Sequence, residues 1–147
     1  MLIDRNIKGK PLGYRIVIIT LDSHAAGPCD RAVSSLIKEF PELSVEVHAA
    51  AEWGESPEAL SLAKKAVETA NIIIVNLLFL EEHVQAILPA LVARRDQCDA
   101  MGGVISDGQI IKLTKMGNLD MSAPQSGAMK LLKKIKGADK PSSDSGE

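Results

Sequence analysis

The sequence has 147 residues, the length of one folded domain. Apolar residues make up 46% of it, and the formal net charge is -2, so the electrostatic footprint of a nucleic-acid-binding protein is missing. The longest apolar run, residues 72–80 interrupted by Asn76, is too short to span a bilayer. Residues 1–10 are polar and lack the apolar stretch of a signal peptide. The composition therefore predicts a cytoplasmic protein without a transmembrane segment and without a nucleic-acid partner.

The first predicted strand follows a short leader, residues 1–13. Residues 14–21 (YRIVIITL) are almost continuously apolar and rich in β-branched side chains, as expected for a strand covered on both faces. Residues 22–27 form a loop. Residues 28–40 have helical spacing, and six apolar side chains on one stripe are expected to face the core: Cys29, Ala32, Val33, Leu36, Ile37 and Phe40.

The middle of the chain continues the alternation of strands and helices. Residues 44–49 (SVEVHA) alternate between apolar and polar side chains, which predicts a strand near the edge of the sheet. A helix follows over residues 56–70, with Ser56 as its N-cap and Pro57 in its first turn. Residues 71–78 (NIIIVNLL) are the second strongly apolar strand.

The last predicted elements carry weaker signals. A helix is predicted over residues 81–97, and Pro89 is expected either to kink it or to place its start near Leu88. Residues 100–106 form a short strand, and residues 107–116 a short helix that ends at Gly117.

The remaining residues complete the predicted domain plan. Residues 14–117 form an α/β domain, 118–137 a linker with a basic amphipathic helix, and 138–147 a disordered tail. The amphipathic helix is predicted over Ala128–Lys136. It presents three apolar side chains against four lysines: Met129, Leu132 and Ile135 against Lys130, Lys133, Lys134 and Lys136.

Alternating strands and helices predict a parallel sheet with helices on both faces. The two most apolar strands, 14–21 and 71–78, are expected side by side at its centre. The predicted fold is a Rossmann-like or flavodoxin-like, doubly wound parallel sheet of about four strands in the order 2-1-3-4, followed by a C-terminal helical extension.

Ligands bind such sheets at the carboxyl ends of the strands, where the strand order reverses. Here that position brings together Asp22, Ser23 and His24 after the first strand with Glu81 and His83 after the third. Two histidines with carboxylates can hold a divalent metal or move protons. Their spacing matches no known metal motif, so roles in loop hydrogen bonding and helix capping remain the alternative.

Other candidate positions each have a structural alternative. Ser106 and Asp107 form a second ligand loop or cap the next helix. Trp53 is either a surface anchor for another domain or a lid on the local core. Cys29 is expected in the core. Neither a P-loop nor a G-x-G-x-x-G turn is present, which argues against a nucleotide site in this chain.

Several long segments resemble one family in the same order along the chain: YRIVIITLDSHAAG, SVEVHAAAEWGESPEAL, ANIIIVNLLFLEEHVQAILPALVARRDQCDAM, GQIIKLTKMGNLDMS and SAPQSGAMKLLKKIKG. The first four are similar to the N-terminal domain of the large, porphyrin-binding subunit of magnesium chelatase, and the last resembles the segment that leads from that domain into the next one. The resemblance covers residues 13–137.

The resemblance implies a place in an enzyme that inserts Mg²⁺ into protoporphyrin IX on the way to chlorophyll and bacteriochlorophyll, an ATP-dependent ligase reaction. Its partners are the remaining domains of the large subunit and two AAA+-type subunits that hydrolyse ATP. The groups implicated in porphyrin binding lie in later parts of that large polypeptide, so none is assigned here. The location implied is the cytoplasm, or the plastid stroma in a plant or alga.

Two functions follow from the sequence. The first is a docking or assembly domain of the chelatase, without a catalytic set and without a bound cofactor of its own. The second is a stand-alone module that binds a small ligand or a metal in the crevice of Asp22, His24, Glu81 and His83.

Overall fold

A computed structural model describes residues 13–123. In chain order the elements are β1 (Tyr14–Thr20), α1 (Ala26–Leu36), β2 (Leu43–Ala49), a 3-10 turn (Ala50–Glu52), α2 (Pro57–Thr69), β3 (Ile72–Asn76), α3 (Glu81–Arg94), β4 (Ala100–Val104), α4 (Gly108–Ile111), β5 (Lys115–Met116) and β6 (Leu119–Asp120).

The sheet is mixed and has the strand order β2-β1-β3-β4-β5-β6. The first four strands are parallel, and their order is the predicted 2-1-3-4. The prediction of a wholly parallel sheet of about four strands is wrong in one respect, because β5 and β6 extend it as an antiparallel hairpin. With the helices between its strands, the described chain is an α/β fold.

One face of the sheet carries the hydrophobic core. Val17, Ile19, Ile73, Val75 and Met101 project from it and are almost completely buried. They form a single cluster with the apolar sides of three helices, namely Ala63, Ala66 and Val67 of α2, Val84, Ile87 and Leu91 of α3, and Ile110 of α4. We call this side the core face. Burial of branched side chains on it supplies the main driving force for folding.

The opposite face, which we call the open face, is covered much less. Residues paired across neighbouring parallel strands project to the same side, and on this face the pairs are Ile16 with Ile72 and Ile18 with Ile74. All four are only half-buried. The face continues over β4 and β5, where Val104 is 49% exposed and Met116 is 44% exposed.

Helix α1 contradicts its predicted burial. Its apolar stripe was expected in the core, yet it has no buried residue. It also ends at Leu36 rather than at Phe40, whose ring is 52% exposed. Cys29 is only partly buried. Leu36 and Phe40 line a shallow hollow with Tyr14 and Ile16, so α1 contacts the open face at its β2 edge and leaves the apolar stripe largely in solvent.

Helices α2 and α3 form for reasons visible in the sequence. Ser56 caps α2 by accepting a hydrogen bond from the Ala59 amide at 3.3 Å, and Pro57 occupies its first turn. Helix α3 runs from Glu81 through Pro89, so the alternative start near Leu88 is wrong. Pro89 is exposed to solvent. Proline cannot donate a backbone hydrogen bond, and at this exposed position the packing of α3 against the core does not depend on that bond.

The segment after β4 differs most from its prediction. The helix expected over residues 107–116 is a single turn, α4, and Lys115–Met116 is a strand. Gly117 has a φ of 54° and begins a two-residue hairpin turn rather than ending a helix. Arg95 fixes this hairpin to α3. Its guanidinium donates to the Leu113 carbonyl at 2.9 Å and to the Asp120 carboxylate at 2.5 Å.

The sheet therefore extends to Asp120, beyond residue 117, where the α/β domain was predicted to end. Most of the predicted leader, the amphipathic helix over Ala128–Lys136 and the tail over 138–147 lie outside the described residues. Within residues 13–123, no helix combines the length and the apolar character that crossing a bilayer requires.

Candidate functional site at the carboxyl ends of the strands

The loop after β1 is organised by Asp22. Its carboxylate accepts a hydrogen bond from the His24 amide at 2.8 Å, while its own amide donates to the Thr20 hydroxyl at 3.1 Å. The His24 ring lies 3.4 Å from both the Asp22 carboxylate and the Ser23 hydroxyl, and is almost fully exposed. Asp22 and Ser23 thus have the loop-forming role that the sequence left as an alternative.

The loops after β3 and β4 are tied to each other. The Leu78 amide donates to the Ser106 hydroxyl at 3.1 Å, and the Asp107 amide donates to the Leu78 carbonyl at 2.8 Å. Asp107 also caps α4 by accepting from the Gln109 amide at 2.8 Å. Ser106 and Asp107 therefore join two adjacent loops, and the capping alternative describes Asp107 correctly.

These two loops contain strained backbone and exposed apolar side chains. Leu77 has a φ of 57° and Ile105 a φ of 45°, values that cost energy for bulky residues. Ile105 is 66% exposed, and Phe79 and Leu80 are each about half exposed. The carboxyl end of the sheet thus presents apolar side chains on conformations that the surrounding hydrogen bonds maintain.

Trp53 and His83 meet beneath this surface. Their ring centroids are 5.9 Å apart at an interplanar angle of 87°, the favourable edge-to-face arrangement. Trp53 is only 6% exposed and belongs to the core cluster, so its ring offers little surface to another domain. The Trp53 indole Nε1 and the His83 Nδ1 are buried, and neither has a hydrogen-bond partner in the described part of the chain.

A small cavity of about 160 Å³ opens beside Trp53. It lies at the carboxyl ends of β1 and β2, and is lined by Asp22, Ser23, Ala26, Val47, His48, Ala49, Glu52, Trp53, Ala59 and Leu62. Its polar groups are the carboxylates of Asp22 and Glu52, the Ser23 hydroxyl and the His48 imidazole. Such a set suits a small polar ligand.

His48 belongs to a charged cluster that the sequence analysis missed. Glu46 pairs with the Arg15 guanidinium and lies 3.3 Å from His48 Nε2. The three side chains project from β1 and β2 on the core-face side. The alternation of residues 44–49 placed Glu46 and His48 on one face. The sequence alone could not assign Arg15 to this cluster, because its position depends on the β1–β2 register, in which Arg15 lies opposite Ser44.

The predicted crevice residues are distributed over two places. Asp22 and Ser23 line the cavity, whereas His83 packs under Trp53 and Glu81 bonds Gln85 within α3. His83 Nε2 lies 3.8 Å from the Glu82 carboxylate. Among residues 13–123, no three histidine, cysteine or acidic side chains lie close enough together to hold a metal ion.

The clearest electrostatic perturbations lie away from this end of the sheet. Burial, and then a hydrogen bond to Asp99, raise the pKa of Tyr14 to about 12. Hydrogen bonds from Ser122 and Arg95 lower the pKa of Asp120 to about 2. Burial raises the pKa of the Cys98 thiol. Tyr14 and Cys98 lie at the amino end of the parallel strands, and Asp120 lies in the β5–β6 hairpin.

Comparisons with known proteins place this arrangement in a family. The family model described as "Domain of unknown function (DUF3479)" matches residues 15–147. The magnesium-chelatase H subunit of Rhodobacter capsulatus is 56% identical over 138 residues, and that of Cereibacter sphaeroides is 56% identical over 135 residues. These alignments cover 94% and 92% of this chain but only 12% and 11% of the relatives. The chain is a member of the DUF3479 domain family and corresponds to a small part of the magnesium-chelatase H subunit.

Proposed function

We propose that this chain serves docking or assembly in the large subunit of a magnesium chelatase. In this proposal the complete enzyme inserts Mg²⁺ into protoporphyrin IX for chlorophyll or bacteriochlorophyll synthesis, with ATP hydrolysed by two AAA+-type subunits. Porphyrin, Mg²⁺ and ATP are handled by those subunits and by the remaining domains of the large subunit.

The observation that carries the proposal is the alignment with two chelatase subunits. Identity of 56% extends over nearly the whole chain, while the chain spans about an eighth of those relatives. A sequence so similar along its length has the same fold. Because the chain aligns with so small a fraction of each relative's length, the comparison supports a role within a larger protein.

The geometry supports a docking role for this end of the sheet more than a catalytic one. Phe79, Leu80 and Ile105 are exposed on two loops joined by hydrogen bonds. Exposed apolar side chains grouped in this way are typical of contact surfaces, and the backbone of Ile105 is in addition strained. Two of the candidate ligand-binding carboxylates, Asp22 and Asp107, instead accept hydrogen bonds within their own loop and at the start of a helix.

The finer fold assignment is part of this proposal. Right-handed crossovers in the order 2-1-3-4 place α1 on one face and both α2 and α3 on the other, as a doubly wound, Rossmann-like sheet requires. The shared core of α2 and α3 and the hollow beside α1 support it. A cytoplasmic location is also proposed, supported by Cys29 and Cys98, which are free thiols.

Domain exchange tests the proposed role. In the Rhodobacter capsulatus relative, the aligned stretch of 138 residues is replaced by this chain. Magnesium-protoporphyrin formation is then followed with the ATPase subunits. We expect the exchanged large subunit to retain activity and the isolated chain to have none. Turnover by the isolated chain, or a folded but inactive exchanged protein, would contradict the proposal.

The docking surface is tested in the same exchanged protein. Ile105→Asp is expected to raise the concentration of ATPase subunits needed for half-maximal rate, or to weaken the contact of this domain with the rest of the large subunit. Porphyrin binding is expected to stay unchanged. Lys112→Asp, an exposed position on the following segment, is the matched control. Equal rates for Ile105→Asp and the control at every concentration of ATPase subunits would remove the docking role from these loops.

A second candidate function is supported by the cavity beside Trp53. We propose it as the alternative, a module that binds a small polar ligand or a metal with Asp22, Ser23 and His24, extended toward Glu81 and His83. The unpartnered Trp53 Nε1 and His83 Nδ1 support it, because buried polar groups normally have partners.

Titration calorimetry with Mg²⁺ and with protoporphyrin IX tests this alternative. Saturable binding that Asp22→Asn and His83→Ala each weaken by about tenfold would support it. Glu55→Gln, an exposed position outside the cavity lining, is the control. Absence of saturable binding for both probes would exclude these two ligands.

A further inference from the structure

Among residues 13–123, the open face carries an apolar surface without a helix over its centre. Ile16, Ile18, Ile72 and Ile74 are half-buried there, and Val104 is about half exposed. Met116 lies beside them, with its Cε directed toward Gly102 of β4. A row of apolar side chains across four strands costs free energy wherever it remains in contact with water.

The described helices leave this surface uncovered. Helices α2, α3 and α4 contribute their buried residues to the core face. Helix α1 packs beside β2, and its contact with the open face is the hollow near Tyr14 and Leu43. In residues 13–123 the area over β3 and β4 therefore has no covering layer, although parallel sheets are normally covered on both faces.

We propose that the segment Ala128–Lys136 of this chain packs across the open face over β4, β3 and β1. The described chain reaches Ala123 just after β6, at the sheet edge next to this area. Three strand spacings from β6 back to β3 amount to about 14 Å. Residues 124–127 can reach about 13 Å, and nine helical residues add about 13 Å more. The chain length is sufficient.

The chemistry of the segment matches the surface. Met129, Leu132 and Ile135 recur at a spacing that places them on one helix face, which can bury against the isoleucines of β1 and β3. Four lysines flank this apolar stripe. Glu39 and Glu42 border the hollow at the α1 side of the open face, and neither forms an ion pair with another residue between 13 and 123.

Covalent connection favours this occupant over a separate molecule. A short tether gives its segment an effective concentration of about millimolar, above that of any free partner. A second copy of the chain, or another part of a larger protein, would have to displace the attached segment first. The inference concerns the fold of the domain and does not depend on the proposed chelatase role.

Methyl NMR on the full chain tests the proposal. Nuclear Overhauser effects are expected between the methyl groups of Ile72 or Ile74 and those of Leu132 or Ile135. Samples that mix labelled and unlabelled chains separate contacts within one chain from contacts between copies. Intramolecular contacts confirm the proposal. Contacts between copies, or an open face without contacts to residues 128–136, overturn it.

A matched pair of variants provides a second measurement. Leu132→Gln is expected to remove these contacts and to accelerate amide hydrogen exchange in residues 128–136 by at least about tenfold, because burial of one leucine contributes that much. Lys133→Gln introduces the same side chain at the next position and is expected to leave the contacts and the exchange unchanged. Equal acceleration in the two variants would contradict the proposal.

Discussion

The two faces of one sheet have similar sequences and very different environments. Ile73 on the core face is completely buried, whereas its neighbours Ile72 and Ile74 on the open face are half-buried. Helices α2 and α3 account for the difference, since both contribute their apolar sides to the core face. A continuous apolar strand thus indicates that both faces can be covered, while the connecting helices decide which face is covered.

The same comparison explains the candidate site. Trp53 and His83 lie on the side of the core face and are buried together, so they stabilise the domain. The exposed groups at the carboxyl end belong to loops whose backbone is held by hydrogen bonds between β3 and β4. The exposed apolar surface and the buried core are therefore only a few residues apart in the chain.

The largest expected effect compares adjacent isoleucines of β3. Ile73→Ala should lower the free energy of unfolding by about 3 kcal/mol, because it removes buried methyl groups and leaves a cavity. Ile72→Ala should cost less, about 1.5 kcal/mol, because residues 13–123 leave Ile72 half-buried and only the segment 128–136 is proposed to cover it. Urea denaturation of both variants measures this difference. Equal losses would show that the open face is as well packed as the core face.

The attachment of the hairpin has the next largest expected effect. Arg95→Ala removes donors to the Leu113 carbonyl and the Asp120 carboxylate, and should destabilise the domain by about 2 kcal/mol. It should also increase hydrogen exchange in β5 and β6, which extend the open face. Lys112→Ala, an exposed control, should change stability by less than about 0.5 kcal/mol. Unchanged exchange in the hairpin of Arg95→Ala would mean that strand pairing alone holds it.

Two adjacent glycines of β4 provide a smaller and closely matched test. A Cβ at Gly103 would lie 2.9 Å from the Ile110 carbonyl oxygen, whereas a Cβ at Gly102 would meet the flexible end of Met116 at 3.4 Å. Gly103→Ala should therefore cost about 1.5 kcal/mol, and Gly102→Ala less than about 0.5 kcal/mol. Thermal denaturation measures both. A larger loss at Gly102 would reverse the assignment of the two faces.

The smallest effect concerns Tyr14, which borders the open face. Its pKa is raised to about 12 by burial and then by the hydrogen bond to Asp99. The neutral phenol therefore stabilises the fold below about pH 10, and this contribution is lost as the pH rises toward about 12. Tyr14→Phe should cost less than about 1 kcal/mol at neutral pH.

Absorbance titration measures this shift directly, because Tyr14 is the one tyrosine of the chain. Asp99→Asn removes the charged acceptor and should lower the observed pKa toward its ordinary value of 10. An unshifted titration in the unchanged protein would contradict the pKa assignment.

Much of the parallel sheet was predictable from local patterns. The four strands Tyr14–Thr20, Leu43–Ala49, Ile72–Asn76 and Ala100–Val104 lie within two residues of their predicted bounds, and their order agrees with the prediction. Hydrophobic runs and the cap at Ser56 act over a few residues, so they can be read without the fold. The β5–β6 hairpin was missed because two-residue strands carry no periodic signal.

The candidate site was less predictable for a related reason. Asp22 and Ser23 were placed at the correct end of the sheet, and they do line a cavity there. Its other polar groups, His48 and Glu52, come from β2 and the turn after it. The predicted strand order already placed β2 beside β1, but the approach of these groups also depends on the β1–β2 register and on the 3-10 turn over Ala50–Glu52. Packing between distant segments decides both, and neither leaves a mark in the spacing of residues.

The sequence by itself determined the alternation of elements, the four apolar strands and the resemblance to a chelatase subunit, because periodicity and residue identity are local properties. The tertiary structure alone decided that the stripe of α1 stays outside the core, that Trp53 is buried against His83, and that residues 13–123 cover only one face of the sheet fully. Burial depends on what lies on the other side of a side chain, and only packing between segments far apart in the chain decides that.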